Sequence, residues 1–574
     1  MAARTVSIAL TGSGGAGVMT AGQILLDAAA QAGFYGLMGR SSGPQIRGGE
    51  AAAMVRLSTD PVSCVGNFFD LLVAFDWTNV DRFAAELPLS PESIILADPQ
   101  QGEIPAAITA YGARVIDLPV KDITKTIAGG RGNMIGLGAV AAAVGIPLDS
   151  FQSAIEATLK KKGAAALEAS MLALRAGSEA LRESGNTPVF PIIPPSTVNP
   201  HRWNISGNEA AGLGALRAGV RFAAAYPITP ATELLEWLAP AITTLGGTLV
   251  QAEDELSSIN MAMGASFGGV PSLTATSGPG LSLMMESLGL AVMTETPVTV
   301  INVMRGGPST GIPTKSEQAD LNIALYGLHG DAPHLVVAPN SVPDCMNATQ
   351  WAVSLTEKLQ TPVIVLSDQN LGQTRAVIDR PDDKGPLARR DTPENNEAGP
   401  YRRYADTESG ISPMSIPGQP GCEYTATGLE HNAQGVPSSQ TSDHQRQLDK
   451  RQRKLDLYDF GPAWADIDGE GPLAIITWGS STAPVREALA RLDPPRDDIR
   501  LISIRLLAPA RTRQMTEALR GIKKVLVVEQ SHSAQFFHYL RAYYDIPSDT
   551  TLFNRPGPLL LRPYEIEKYL KDWR

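Results

Sequence analysis

Cysteine is scarce. The 574-residue chain has three, Cys64, Cys345 and Cys422, no two of them close in sequence. Without a CxxC pair the chain has no thiolate set of its own for zinc or an iron–sulfur cluster, and scattered single thiols suit a reducing cytosol. The seven histidines form no metal-ligand spacing; His329, Asp331 and His334 fall close together in LHGDAPH, which reads as a turn. HExxH is missing. Long apolar runs are missing too. The longest, NMIGLGAVAAAVGIPL, is broken by glycine and closed by proline, and reads as a buried helix rather than a membrane span. The opening MAARTVSIALTG goes straight into a strand pattern, with an apolar stretch too short for a signal peptide. Positive charge is in deficit, 48 Lys and Arg against 59 Asp and Glu, for a net charge of −11. That argues against nucleic acid and anionic membrane as partners, since neither is drawn to an acidic surface.

What is present is glycine (54) and proline (43), spread through a chain too long for one core. Such punctuation suits many short loops, and the length suits about three domains. Up to about residue 187, short buried-strand runs (TVSIALTG, AAAMVRLS, DLLVAFD, SIILAD, ARVIDLPV) alternate with helical spacing, which predicts an α/β domain on a largely parallel sheet. Residues 188–204 are proline-rich and read as an extended linker. A second α/β pattern fills 205–375, with strands SLTATSG, VTVINVM, HLVVAP and PVIVLSD. Residues 376–468 turn polar and read as an irregular connection carrying one exposed charged helix, DHQRQLDKRQRKLD. A third α/β domain, 469–574, has strands LAIITWGSS, IRLISIRLL and KKVLVVEQ.

Several stretches are denser in chemistry than a loop needs. TGSGGAG follows a strand and opens a helix, with Gly12, Gly14 and Gly17 at GxGxxG spacing, as a phosphate cradle would. The acid that should close the second strand of a dinucleotide site is absent from GFYGLMGRSSGPQ. A tight structural turn, or a site for another phosphate-bearing ligand, fits better than NAD. GRSSGPQIRGGEA sets Arg40 and Arg47 among Ser and Gly in a loop before a strand; a phosphate contact and a solvated hairpin stay equally open. In VQAEDELSSINMAMGAS, Glu253, Asp254 and Glu255 crowd the start of a helix. Favourable placement on the helix dipole would explain that, but the small apolar residues beyond imply burial, where a carboxylate must be paired or used. TATSGPGLSLMMESLG is a strand, a tight turn and a helix. VMRGGPSTGIPTKSEQADL puts Arg305 at a strand end before Ser309, Thr310, Thr314 and Lys315, where ligands of parallel sheets bind. AYPITPATE places Thr229 between two prolines.

Together NEAAGLGALRAGVRFAAAYPITPATEL, AEDELSSINMAMGAS, TATSGPGLSLMMESLGLA and RGGPSTGIPTKSEQADL resemble the α subunit of 2-oxoacid:ferredoxin oxidoreductases, most of all the 2-oxoglutarate enzymes. LTGSGGAGVMTAGQIL with GRSSGPQIRGGEA resembles that family's γ domain, fused here at the N-terminus, and the last block resembles its transketolase C-terminal-like domain. The resemblance implies three α/β domains: a γ-type domain, the pyrimidine-type domain of thiamine diphosphate enzymes, and the transketolase C-terminal-like domain. It implies a cytoplasmic enzyme of the type found in the reductive tricarboxylic acid cycle. That enzyme joins a 2-oxoacid, coenzyme A and oxidised ferredoxin to give acyl-CoA, CO2 and reduced ferredoxin, reversibly. A separate β subunit supplies the diphosphate and Mg²⁺ site and an iron–sulfur cluster, in an (αβ)2 assembly.

Roles carry over with the motifs. Glu255, with Glu253 as alternative, resembles the glutamate that hydrogen-bonds the cofactor's aminopyrimidine N1′ and favours the imino form that takes the thiazolium C2 proton. Ser277 and Gly278 fall on the pyrimidine side. Thr229 resembles the threonine that faces the substrate's carboxyl and carbonyl, Arg305 the arginine that clamps its carboxylate, and Thr310 lies in the loop over that pocket. Arg40 and Arg47 are candidates for coenzyme A. Pyruvate, a branched-chain 2-oxoacid or indolepyruvate is the alternative substrate, and a non-catalytic scaffold binding coenzyme A or a nucleotide is the alternative of another class.

Overall fold

Three sheets take up the strands of the computed structural model, which describes residues 4–43, 49–186, 189–195, 199, 201–382, 384–394, 400–571 and 573. The chain divides into two units: Met1–Ser206 with Gln373–Asp382 and Leu559–Arg574, and Gly207–Gly372 with Asp383–Pro558. No helix among the described residues is long and apolar enough to cross a membrane.

The first unit holds an eight-stranded sheet. Its strands are β1 (Thr5–Ser13), β2 (Tyr35–Ser42), β3 (Glu50–Ser58), β4 (Leu71–Ala74), β5 (Ile94–Ala97), β6 (Arg114–Asp117), β7 (Trp203–Ser206) and β14 (Arg375–Ile378), in the order β6-β5-β4-β1-β3-β2-β14-β7. The expectation of a largely parallel sheet holds for one half only. From β6 to β1 the pairs are parallel; from β1 to β7 every pair is antiparallel. The short connection from β2 to β3 explains part of this, because a parallel pair needs a long crossover. Gly39–Ser42, read from sequence as loop, belong to β2, with Arg40 opposite Ala53. NMIGLGAVAAAVGIPL forms helix Gly132–Val144, buried from Asn133 onward. It crosses helix Ala164–Glu183 in backbone contact. A Cβ at Gly138 would lie 1.8 Å from the Leu174 carbonyl oxygen, and one at Gly177 1.9 Å from that of Ile135.

The second unit holds two sheets. β8 (Phe222–Ala225), β9 (Thr248–Gln251), β10 (Ser272–Thr276), β11 (Val298–Met304), β12 (Leu335–Val337) and β13 (Pro362–Asp368) run parallel in the order β12-β13-β11-β10-β8-β9. β11 and β13 are buried at every residue, as parallel strands covered on both faces must be, which is why they read as continuous apolar runs. β15 (Ala465–Asp468), β16 (Leu473–Trp478), β17 (Ile499–Ile504), β19 (Lys524–Glu529) and β20 (Thr550–Asn554) form the other sheet, ordered β15-β17-β16-β19-β20. The run IRLISIRLL divides between the two. Its second part is β18 (Leu506–Ala508), which leaves β17 and pairs antiparallel with β12. Arg505 marks the division, with Nε 2.9 Å from Asp344 and Nη2 2.8 Å from Asp466.

The charged helix is present, as Thr441–Leu457, but it is not the exposed element the sequence suggests. Gln447, Lys450, Arg451, Lys454 and Leu455 are buried. Lys450 and Lys454 reach Glu295 at 2.6 and 2.9 Å, all three side chains at most 1% exposed. The irregular stretch before it packs inward too. Arg403 and Tyr404 are wholly buried, and Arg403 donates 2.8 Å to the Glu295 carbonyl.

Candidate active site

The parallel run β11-β10-β8-β9 brings four chain segments to one edge, because parallel neighbours end on the same side. Thr229 follows β8, Glu255 follows β9, Ser277 and Gly278 follow β10, and Arg305 follows β11. Ligands of open parallel sheets bind at that edge. Residues spread over seventy-six positions of sequence therefore meet: Arg305 Nη1 donates to the Thr229 carbonyl at 2.6 Å.

The three acids at the start of helix Glu255–Phe267 take separate places. Glu253 is exposed. Asp254 is the N-cap, accepting 2.7 Å from the Ser257 amide, and that backbone hydrogen bond holds its carboxyl below the usual range. Glu255 is buried, 7% exposed, and no hydrogen bond reaches its carboxylate among the described residues. It lies against the first turn of helix Gly278–Met293. A Cβ at Gly280 would stand 2.8 Å from its Oε1 and 2.1 Å from Thr276 Oγ1, so only glycine lets those side chains pack so close.

Arg305 is buried, and its Nε has no hydrogen-bond partner among the described residues. Burial pulls its guanidinium below the usual value and the charge of Asp320 pulls it back. Asp320, inside the sequence motif PTKSEQADL, and Asn302, inside VTVINVM, join the site without a role assigned from sequence. Asn302 Nδ2 donates to Asp320 Oδ2 at 2.8 Å. A fully buried amide in the middle of an apolar strand was the available signal. Thr310 is exposed, at the far part of a loop closed by the Gly306–Ile312 bridge, and no contact brings it to Arg305. The loop is fastened beyond Thr310 by Gln318, whose side chain donates to the Trp478 carbonyl at 2.8 Å and accepts from Ser481 Oγ at 2.8 Å.

Ser277 is the N-cap of helix Gly278–Met293, but its side chain does not cap, and its buried Oγ has no partner among the described residues. Among the described residues a buried hydroxyl and a buried guanidinium nitrogen lack partners at one strand edge, and no hydrogen bond reaches the Glu255 carboxylate beside them. Buried polar groups are normally satisfied, so these groups make this edge a candidate ligand site. A carboxylate packed against a glycine, with no hydrogen bond to it among the described residues, fits the aminopyrimidine end of thiamine diphosphate.

In the first unit, TGSGGAG turns out to be occupied from within. The Ser13 amide and hydroxyl donate to Asp76, the amide at 3.0 and 2.9 Å and Oγ at 2.7 Å. The Gly14 amide goes to the Gly49 carbonyl. A carboxylate already holding these donors repels phosphate, so the tight-turn reading is the one the geometry favours. Arg40 Nε donates to Gln373 Oε1 at 3.2 Å. Arg47 lies outside the described residues.

Residues 213–450 match the family model for pyruvate flavodoxin/ferredoxin oxidoreductase, thiamine diphosphate-binding, and residues 7–180 that for pyruvate ferredoxin/flavodoxin oxidoreductase. The α subunit of 2-oxoacid:ferredoxin oxidoreductase 2 from Aeropyrum pernix is 30% identical over 96% of this chain and 95% of its own. The chain belongs to the 2-oxoacid:ferredoxin oxidoreductase family. It is the α subunit of a thiamine diphosphate-dependent, CoA-acylating oxidoreductase with a γ-like region fused at its N-terminus. The KorA subunit of 2-oxoglutarate oxidoreductase from Mycobacterium tuberculosis is 37% identical over 73% of this chain and 65% of its own. The structure of 2-oxoglutarate:ferredoxin oxidoreductase from Magnetococcus marinus, with 2-oxoglutarate, coenzyme A and succinyl-CoA bound, matches 99% of both chains at 34% identity and a TM-score of 0.91.

Proposed function

We propose that this chain, together with a β subunit, converts 2-oxoglutarate and coenzyme A to succinyl-CoA and CO2, passing two electrons to ferredoxin, and that the reaction is reversible. The carboxylate carbon leaves as CO2, the coenzyme A sulfur bonds to the former carbonyl carbon, and the thiol proton goes to solvent. The observation that carries the choice of acid is the full-length likeness to the Magnetococcus enzyme, whose structure holds 2-oxoglutarate and succinyl-CoA. The buried, part-vacant guanidinium of Arg305 suits a carboxylate.

Thiamine diphosphate, when bound, supplies the carbanion-stabilising chemistry that decarboxylation of a 2-oxoacid requires. Glu255 would hold its pyrimidine N1′ and share a proton there, with Ser277 and Gly278 beside the ring. Arg305 would clamp the substrate carboxylate, and Thr229 would offer a hydroxyl that no hydrogen bond occupies among the described residues. Thr310 would close over the acid with its loop. Fixing the acid this way turns a bimolecular encounter into an oriented one. Arg40 and Arg47 are kept as candidates for coenzyme A. The diphosphate, its Mg²⁺ and an iron–sulfur cluster are assigned to the β subunit, in a cytoplasmic (αβ)2 assembly. The γ-type domain spans 1–187, the pyrimidine-type domain 205–375 and the transketolase C-terminal-like domain 469–574.

Anaerobic viologen reduction dependent on 2-oxoglutarate and coenzyme A, measured on the co-expressed pair and on each chain alone, tests the reading. Activity in the pair alone, lost without thiamine diphosphate, is the expected result. Activity with pyruvate but not 2-oxoglutarate would correct the acid, and a stable cofactor-loaded pair inert toward every 2-oxoacid would overturn the proposal.

A further inference from the structure

Asp320 is a carboxylate in the wrong place for its local duties. It is the N-cap of the short helix Leu321–Tyr326, where aspartate normally turns its side chain onto the helix amides, yet it makes no such hydrogen bond. The side chain points instead into the strand-edge site. Its Oδ2 accepts from Asn302 Nδ2 at 2.8 Å. Its two oxygens lie 2.9 and 3.0 Å from where a Cβ would stand on Gly278. The carboxylate is thus lodged against the start of helix Gly278–Met293, between the pyrimidine-side residues and the strand that ends in Arg305. Burial pushes its carboxyl up, while the Asn302 hydrogen bond and the Arg305 charge pull it down.

The other charged groups facing this pocket are Arg305 from the end of β11, Glu255 from the start of its helix, Glu317 from the same loop, and His532, which acts on Glu317 from the following domain. Helix Gly278–Met293 has no acid in its first turn. Gln535 meets the loop through the Ala319 carbonyl and the Asn322 amide and is neutral. Arg305 is the cation whose charge acts on Asp320, and Asp320 the acid whose charge acts on Arg305.

A substrate carboxylate on Arg305 brings a second negative charge into a pocket that already has one. Two carboxylates sharing one cation in a dry site cannot both stay ionised easily, and the one that can shed its charge does so by taking a proton. We propose that Asp320 is a positioning residue that gives way to the substrate: when the acid's carboxylate engages Arg305, Asp320 takes up one proton from solvent. Binding of the acid is then linked to proton uptake, and affinity falls as pH rises through the interval between Asp320's titration in the free and the bound enzyme. Protonated Asp320 still accepts from Asn302 and adds an O–H donor toward the site.

The inference rests on the reading of Arg305 as the carboxylate clamp, so the experiment separates the two. The cofactor-loaded pair is titrated calorimetrically with 2-hydroxyglutarate, which has both carboxylates but no reactive carbonyl. Titrations in phosphate and in Tris between about pH 5.5 and 8.5 give the protons taken up from the dependence of heat on buffer. Uptake of up to about one proton within that range is expected for the wild type and none for Asp320→Asn. Steady-state KM for 2-oxoglutarate should rise by up to about tenfold per pH unit in the wild type and stay flat in Asp320→Asn. A purely structural Asp320 would not move the proton count. No uptake by the wild type, on a ligand whose affinity Arg305→Gln abolishes, would overturn the inference and leave the clamp standing. Affinity unchanged by Arg305→Gln would overturn both.

Discussion

Glu295→Gln is expected to unfasten the charged helix Thr441–Leu457 from the second unit. Burial alone would push the Glu295 carboxyl up, but Lys450, Lys454 and Arg403 together hold it well below the carboxylate range. The site has three cations for this one acid, and burial drives the Lys450 ammonium down to about 7 even with Glu295 beside it. Removing one member of a buried ion cluster typically costs about 3–5 kcal/mol, because the charges left behind have lost both water and partner. The pH dependence follows from Lys450. Its folded value is depressed relative to about 10.4 in an unfolded chain, so between these values the unfolded chain binds more protons and the lysine's contribution to stability improves as pH rises. Without Glu295 the lysine sheds its proton at still lower pH, which relieves part of the damage under alkaline conditions. We expect a loss of about 5 kcal/mol near pH 6 and about 3 near pH 8. At roughly 2 °C per kcal/mol for a large unit, the midpoint should fall by about 10 and about 6 °C. Thermal unfolding by near-ultraviolet dichroism reads the midpoint, and limited proteolysis reads whether residues 441–457 become cleavable first. Adding Lys450→Met should restore part of the loss, since it removes the stranded charge. A midpoint within about 1 °C of wild type at both pH values would refute the account.

Two other substitutions address the site and the fold. Glu255→Ala should still give a cofactor-loaded pair, but with turnover lower by about 100-fold or more, as loss of an acid–base partner does; full turnover would remove Glu255 from the cofactor site, whereas Glu253→Ala should leave turnover near wild type. Gly138→Ala should destabilise the first unit by at least about 1–3 kcal/mol, because its methyl would lie 1.8 Å from the Leu174 carbonyl oxygen, and a midpoint equal to wild type in urea unfolding would show that the helices separate at no cost.

The strands that position the site were legible because of where they sit. β11 and β13 are covered on both faces, so most of their residues are apolar and the runs stand out despite Asn302 and Asp368. The far half of the first sheet was not. β7 and β14 are four residues each and come from positions 203–206 and 375–378, so no local period announces that they pair. The same limit produced the error at Thr441–Leu457. Its composition is that of a solvated helix, and the acid that makes its lysines buried lies 155 and 159 positions away. A charge pattern reports what a segment contains, and only tertiary structure reports what neutralises it.

The site shows the same division more sharply. Glu253, Asp254 and Glu255 are three consecutive acids with similar propensities, and composition alone does not rank them. Helix phase does. Asp254 takes the cap, so Glu255 is the first residue inside the helix and turns toward the sheet, while Glu253 stays outside it in solvent. Thr310 shows the converse, since its motif is dense with hydroxyls but the Gly306–Ile312 bridge holds its side chain exposed. Asp320 needed both levels. Its sequence position says N-cap, and only the missing cap hydrogen bond, together with the 2.8 Å contact from Asn302, shows that the side chain has another use. A residue that breaks its local rule at a strand edge, while its neighbours Ser277 and Arg305 keep buried polar atoms without partners, is where local structure has been given up to binding.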